Sequence, residues 1–255
     1  MVAIEKDRMP LLGHLQELRK RLLISFLSVC LGGIACWFFY DRILELLLEP
    51  YCQIRDNSDP ERIFGSGCEL LVTDPLEPFS VRLTVAGYGG VILSIPMLLW
   101  QAWRFIAPGL LSKEKKWALP FLLSGLLLFV MGSLLAYWSI PRALDFLVEI
   151  GGPDLVSVFS PAKYIGFVIK MIVAFGIGFE FPLFLIFLQL LGVLTPTALR
   201  KSRRYAIVGV VALVAVLTPS GDPFTLMILS LPMLLFYEIA ILVGSLRNRR
   251  MMTKA

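Results

Sequence analysis

A glutamate stands in the middle of the apolar run "IVAFGIGFEFPLFLIFLQLLG", residues 172–192. A charge at mid-bilayer costs about 2.5–3.5 kcal/mol on insertion scales. Glu180 is therefore expected to prefer its neutral form, which donates as well as accepts a hydrogen bond. Three uses fit such a carboxyl: a contact inside a helix bundle, a bond to a polar group on a partner's transmembrane helix, or holding water in a thinned groove. Pro182 removes a backbone donor and clashes with the carbonyl four residues back, so a bend is expected near Gly178. Lys170 lies ten residues away, about 15 Å along a helix, which is too far for direct pairing.

Two other carboxylates stand against the local sign of charge. In "MPLLGHLQELRKRLL", residues 9–23, Leu11, Leu15, Leu18 and Leu22 share one helical face and Glu17 lies on another, near His14 and Arg21. One reading is an interfacial helix with a Glu17–Arg21 pair worth about 0.2–0.5 kcal/mol. In "WRFIAPGLLSKEKKW", residues 103–117, Glu114 is the single acid among Lys113, Lys115 and Lys116, beside the apolar Phe105, Ile106, Leu110 and Leu111. Here one reading is a solvated charge cluster. The second reading joins the two segments. Carboxylates beside an apolar loop suit a cationic, partly apolar peptide, and a guanidinium matches best because its planar fork gives two parallel bonds.

Catalytic constellations are missing. His14 is the single histidine, no His/Cys/Asp/Glu cluster has metal-ligand spacing, and no serine has a histidine base nearby. There is no phosphate-binding glycine loop and no basic tail suited to nucleic acid. No cofactor is implied. A small-solute secondary transporter using Glu180 is the alternative function, because such proteins carry intramembrane carboxylates and repeats. The echo "SIPMLLW" (94–100) and "SLPMLLF" (230–236) lies in spans of equal direction, so it is not an inverted repeat.

The elements that must position these residues are membrane helices. Of 255 residues, 57% are hydrophobic and 17% charged, against about 45–50% and 25% in soluble domains. Six spans are expected at 22–40, 83–103, 117–140, 164–191, 205–218 and 224–246. The fifth has 14 residues, about 21 Å of helix against a hydrocarbon core of about 30 Å. Glu238 leaves the sixth equally short. The last hairpin is expected to be recessed, or to sit where the membrane thins.

Lys and Arg orient the spans. Residues 1–21 carry five, and the segments 103–116, 192–204 and 247–255 carry four each. Those segments are read as cytoplasmic, with both termini inside. The opposite side, 41–82 and 141–163 with Asp222, holds 13 of the 19 acidic residues. The first span lacks a small-residue cleavage site and is read as retained. Cys30 and Cys36 fall in that span. Cys52 and Cys68 fall in the first outside loop, as a disulfide or as two free thiols.

The segments "HLQELRKRLL" (14–23), "WRFIAPGLLSKEK" (103–115) and "AFGIGFEFPL" (174–183) resemble the signature segments of the TatC family, the polytopic core of the twin-arginine protein translocase. "LTPSGDPF" (217–224) resembles the family's last outside turn, with a small difference in length around residues 220–222. The resemblance implies a single all-α membrane domain over 1–255 with six transmembrane helices. It implies a concave, glove-like bundle with short fifth and sixth helices, an amphipathic cytoplasmic helix in 1–21, and an outside cap in 41–82. It implies a receptor in the cytoplasmic membrane for twin-arginine signal peptides of folded cargo. That receptor works with single-span TatA/TatB-type partners, associates with itself and with lipid, and is driven by the proton-motive force. By motif position Glu17 and Glu114 match the acidic signal-peptide contacts, and Arg19 and Phe105 match other sensitive positions. Leu110 belongs to the same peptide surface. Pro50 matches a proline of the cap, Asp222 lies in the last outside turn, and Glu180 matches the glutamate of the fourth span at the concave face.

The predicted topology has a direct check. Single cysteines at positions 57, 154 and 221, in a background without native cysteines, are expected to label from outside, and those at 6, 113 and 202 are not. Outside labelling at 202 would break it.

Overall fold

The computed structural model describes residues 11–57, 68, 70–106, 118–152, 158–190, 192–218 and 221–252. These form eight helices: α1 (Leu11–Phe38), α2 (Tyr40–Asn57), α3 (Glu77–Ile106), α4 (Ala118–Ile150), α5 (Pro161–Leu190), α6 (Pro196–Lys201), α7 (Arg203–Leu217) and α8 (Pro223–Met252). Five of them, α1, α3, α4, α5 and α8, contain stretches long and apolar enough to cross a membrane. With 15 residues α7 falls short of that length, as the fifth expected span was to do.

Several expectations change. The last helix is not short: its apolar stretch runs over Pro223–Leu246, straight through Glu238. The Glu238 carboxylate accepts from Arg203 at the start of α7 at 2.6 Å, and the helix continues past this ion pair. The N-terminal amphipathic segment is the beginning of α1 rather than a helix of its own. The first half of the expected outside loop 41–82 is helical, as α2. The third span continues through Pro141 to Ile150, ten residues past its expected end.

α5 is the spine. More than half of its apolar stretch is buried inside the protein, against 6% for α1. Apolar side chains all round a helix mark it as central. One end of α5 packs Tyr164, Ile165 and Val168 against Leu47 and Tyr51 of α2, Val85 of α3 and Leu144 of α4. Its middle packs Met171, Phe175 and Phe179 against Val214 of α7 and Leu229 and Met233 of α8. Leu185 meets Leu199 of α6 and Tyr237 and Ile241 of α8. The helix runs unbroken through Pro182. At its end Gly192 takes φ 73°, and the amides of Val193 and Leu194 return to the Leu188 carbonyl, which closes the last turn as a left-handed glycine cap does.

α1 depends on one neighbour. It lies on α3 through glycines, with Leu22, Phe26, Leu31 and Phe38 exposed to the surroundings. A Cβ on Gly90 would fall 2.6 Å from both the Gly33 nitrogen and the Val29 carbonyl oxygen, and one on Gly32 would fall 2.8 Å from the Gly90 oxygen. Backbone meets backbone there, which is how helices associate in lipid without a hydrophobic drive.

Candidate functional site: carboxylates at helix ends and in the bundle

The first polar cluster spans the start of α1 and the end of α3. Glu17 and Arg21 are one helical turn apart, which brings their side chains together. Arg21 donates from Nε to Glu17 Oε1 at 3.1 Å and from Nη2 to the same oxygen. Its Nη1 donates to Oε1 of Gln101 at 3.3 Å. Gln101 is buried in α3. The two charged side chains are only 13% (Arg21) and 21% (Glu17) exposed, so water screens them incompletely. The Glu17–Arg21 pair expected from helical spacing is thus present, and it reaches a third residue that spacing could not reveal.

Two residues beyond Gln101 an aromatic cluster ties three helices. The Trp103 ring of α3 lies 4.8 Å from Phe121 of α4 and 6.3 Å from Phe187 of α5, and the two phenylalanines are 5.9 Å apart. Phe105 is half-buried at the end of α3, and Arg19 is exposed on α1. Leu110 and Glu114 lie outside the described residues.

The second polar position is Glu180 on α5. It is half-buried and faces α4: a Cβ on Gly125 would meet Glu180 Oε2 at 3.2 Å, Leu99 Cδ1 of α3 at 3.1 Å and Leu183 Cδ2 at 3.2 Å. Glycine at 125 leaves the carboxyl its room. Its other oxygen, Oε1, is buried and has no hydrogen-bond partner among the described residues. A buried polar atom without a partner is costly. Leu99 beside Glu180 and Gln101 beside Arg21 are two residues apart, so both polar positions gather near one end of α3.

The opposite end is latched. Glu77, buried at the start of α3, accepts from the Ala162 amide on Oε1 at 2.9 Å and from the Thr73 amide on Oε2 at 3.0 Å. The Ala162 amide is one of the free donors at the start of α5, where a carboxylate is favoured. Tyr164 and Tyr137 donate to the carbonyls of Leu47 and Leu46 at 2.8 and 2.9 Å, which docks α2 on α5 and α4. Pro50 is buried within α2. Cys52 and Cys68 form a disulfide with Cα atoms 5.2 Å apart. Asp222 caps α8: Thr225 donates its amide to Oδ1 at 2.7 Å and its hydroxyl to Oδ2. Pro223 takes the first helical position, where a missing amide costs nothing.

The sequence reading missed Gln101 and Glu77. Gln101 carried a signal, an amide in an otherwise apolar run. Glu77 carried none, because its partners are backbone amides brought to it by the fold. Among the described residues no group of three His, Cys, Asp or Glu is placed to hold a metal ion.

Comparison with known proteins adds a family. Residues 13–232 match the family model described as Sec-independent protein translocase protein (TatC). The chain is 40% identical over 245 residues to the TatC of Aquifex aeolicus, covering 95% of this chain and 97% of that one. It is 39% identical over 249 residues to the TatC of Frankia casuarinae, covering 97% and 68%. A solved structure described as the twin arginine translocase receptor TatC superposes with a TM-score of 0.75 at 38% identity, over 92% of this chain and 99% of that one.

The Asp222 cap yields a stability test. Asp222→Ala is expected to cost about 1–2 kcal/mol, seen as a lower thermal midpoint in detergent, while Asp222→Asn keeps most of the wild-type value. An unchanged midpoint for Asp222→Ala would remove the capping role.

Proposed function

The chain belongs to the TatC family, and on that premise we propose that it is the twin-arginine signal-peptide receptor of the Sec-independent translocase. It is a multi-pass inner-membrane component of that translocase. Family membership is coherent with a protein that is not an enzyme, and the relatives give no support to a small-solute transporter using Glu180.

One observation carries the receptor reading. The Glu17 carboxylate already accepts two nitrogens of a guanidinium, that of Arg21, in an incompletely screened setting. A signal-peptide arginine presents the same group. Glu114, in the basic segment after α3, supplies the second carboxylate for the second arginine. Arg19, Phe105 and Leu110 border the peptide, the last two along its apolar part. The full architecture proposed with this role has six spans, α7 being the short one, with both termini in the cytoplasm. The single domain over 1–255 forms a glove-like bundle whose N-terminal segment 1–21 and outside cap 41–82 flank it. Pro50 and the Cys52–Cys68 disulfide stiffen the cap. Self-association and single-span TatA/TatB-type partners complete the machine, and the proton-motive force drives it.

The peptide test compares carboxylate variants. Each charge-assisted bond contributes about 1.5–3 kcal/mol, less where water screens it, so Glu17→Ala or Glu114→Ala is expected to weaken twin-arginine peptide binding about tenfold or somewhat more. Glu114→Lys weakens it further, because repulsion is added to loss. Twin-lysine peptides bind more weakly and lose less on the same substitutions, a coupling that a double-mutant cycle detects. Equal binding of both peptides by wild type and both alanine variants, in detergent at fixed salt, would sink the receptor role.

Glu180 is proposed to bond a polar group on a partner's membrane helix, supported by its buried, unpartnered Oε1. Glu180→Ala is expected to leave folding and peptide binding near wild type while reducing co-purification of a TatA/TatB-type partner. Glu180→Gln is milder, since an amide also donates and accepts. Normal partner recovery with both variants would refute this, and unfolding of the alanine variant would make Glu180 an internal contact.

A further inference from the structure

The guanidinium that holds Glu17 belongs to the receptor itself. Arg21 takes Glu17 Oε1 with two nitrogens and the buried Gln101 with a third. Its neighbours Arg19 and Lys20 are exposed, so within this basic stretch Arg21 is the residue folded back onto the carboxylate and across to α3. The group it presents is chemically the same as the group of an incoming arginine. Arg21 already places two nitrogens on Oε1, and Oε2 is buried, so a second guanidinium finds no open oxygen to fork onto, and the two charges repel.

Resting on the receptor reading, we propose that Arg21 is an affinity-setting residue: it occupies Glu17 in the unliganded protein, and a signal-peptide arginine must take the carboxylate from it. Gln101 retains Arg21 when Glu17 is surrendered, which keeps the displaced cation from being left without a partner at the α1–α3 contact. The device lowers the apparent affinity of every ligand of Glu17 by the same factor, the reciprocal of the fraction of receptors in which Glu17 is open. It therefore sets a threshold rather than a ratio. A peptide with a point-charge ammonium, weaker from the start, drops below useful binding, whereas a forked guanidinium stays above it.

The experiment measures binding of synthetic twin-arginine and twin-lysine peptides to the detergent-solubilised full chain at fixed salt. Arg21→Ala is expected to tighten both peptides by a similar factor, roughly threefold or more. Lys20→Ala removes the same charge one residue away and is expected to tighten them less. Arg21→Lys keeps the charge but cannot reach Glu17 with two nitrogens and Gln101 with a third; it also tightens binding, by a smaller factor. In a Glu17→Ala background the extra effect of Arg21→Ala disappears. Weaker or unchanged binding with Arg21→Ala and Arg21→Lys overturns the proposal, as does tightening equal to that of Lys20→Ala or tightening that persists without Glu17. Should Arg21→Ala fail to fold, Arg21→Lys decides alone. Failure of the receptor reading looks different: wild type would not bind the twin-arginine peptide, or Glu17→Ala would bind it as well as wild type.

Discussion

Close approach of helix backbones is the constraint on which this structure depends. Lipid tails are as apolar as leucine, so helices gain little by hiding apolar side chains from lipid and must gain by fitting together. Glycine permits that fit around α5. A Cβ on Gly132 of α4 would lie 2.6 Å from the Phe175 carbonyl oxygen, and one on Gly176 would lie 2.4 Å from the Phe129 ring. The two glycines alternate across the α4–α5 contact, each receiving an aromatic residue or backbone from the other helix. Gly32 and Gly90 do the same between α1 and α3. The spacing that results is what leaves room for a carboxyl at Glu180 opposite Gly125.

Polar ties then fix what close packing leaves free, and they are of two kinds. At the α2 end the acceptors or donors are mostly backbone: Tyr164 to Leu47, Tyr137 to Leu46, and Glu77 with the Ala162 amide. The α8 contacts follow the same habit, with Tyr237 donating to Leu199 and Gln189 to Ala240 at 2.7 and 3.0 Å. A backbone group has no alternative rotamer, so such ties are permanent while the fold lasts. Where α1 begins and α3 ends, the tie is side chain to side chain: Glu17, Arg21 and Gln101. Long side chains can exchange partners without moving a helix.

Much of this was written in composition and spacing. Helix α5 is legible as a long, mainly apolar run with one acid, and Glu17 and Arg21 are legible as a pair because 3.6 residues make a turn. The reading went astray at Glu238, where one charge looked like the end of a span. The ion pair with Arg203 joins residues 35 positions apart across two helices, which no local window contains. Glu77 was invisible for the same reason, its Ala162 partner being 85 positions away.

By itself the sequence determined the membrane class, the main apolar runs, and the few carboxylates set against them. These follow from residue chemistry summed over short stretches, where hydropathy and helical period act locally. Tertiary structure decided which of those carboxylates are already occupied. Glu17 is held by a guanidinium bridged to Gln101, 80 positions further on from Arg21, while Glu180 sets Oε2 toward Gly125 and keeps Oε1 buried without a bond among the described residues. Whether a polar atom is satisfied depends on what the packed neighbours bring within 3 Å or so, and only the assembled bundle specifies those neighbours.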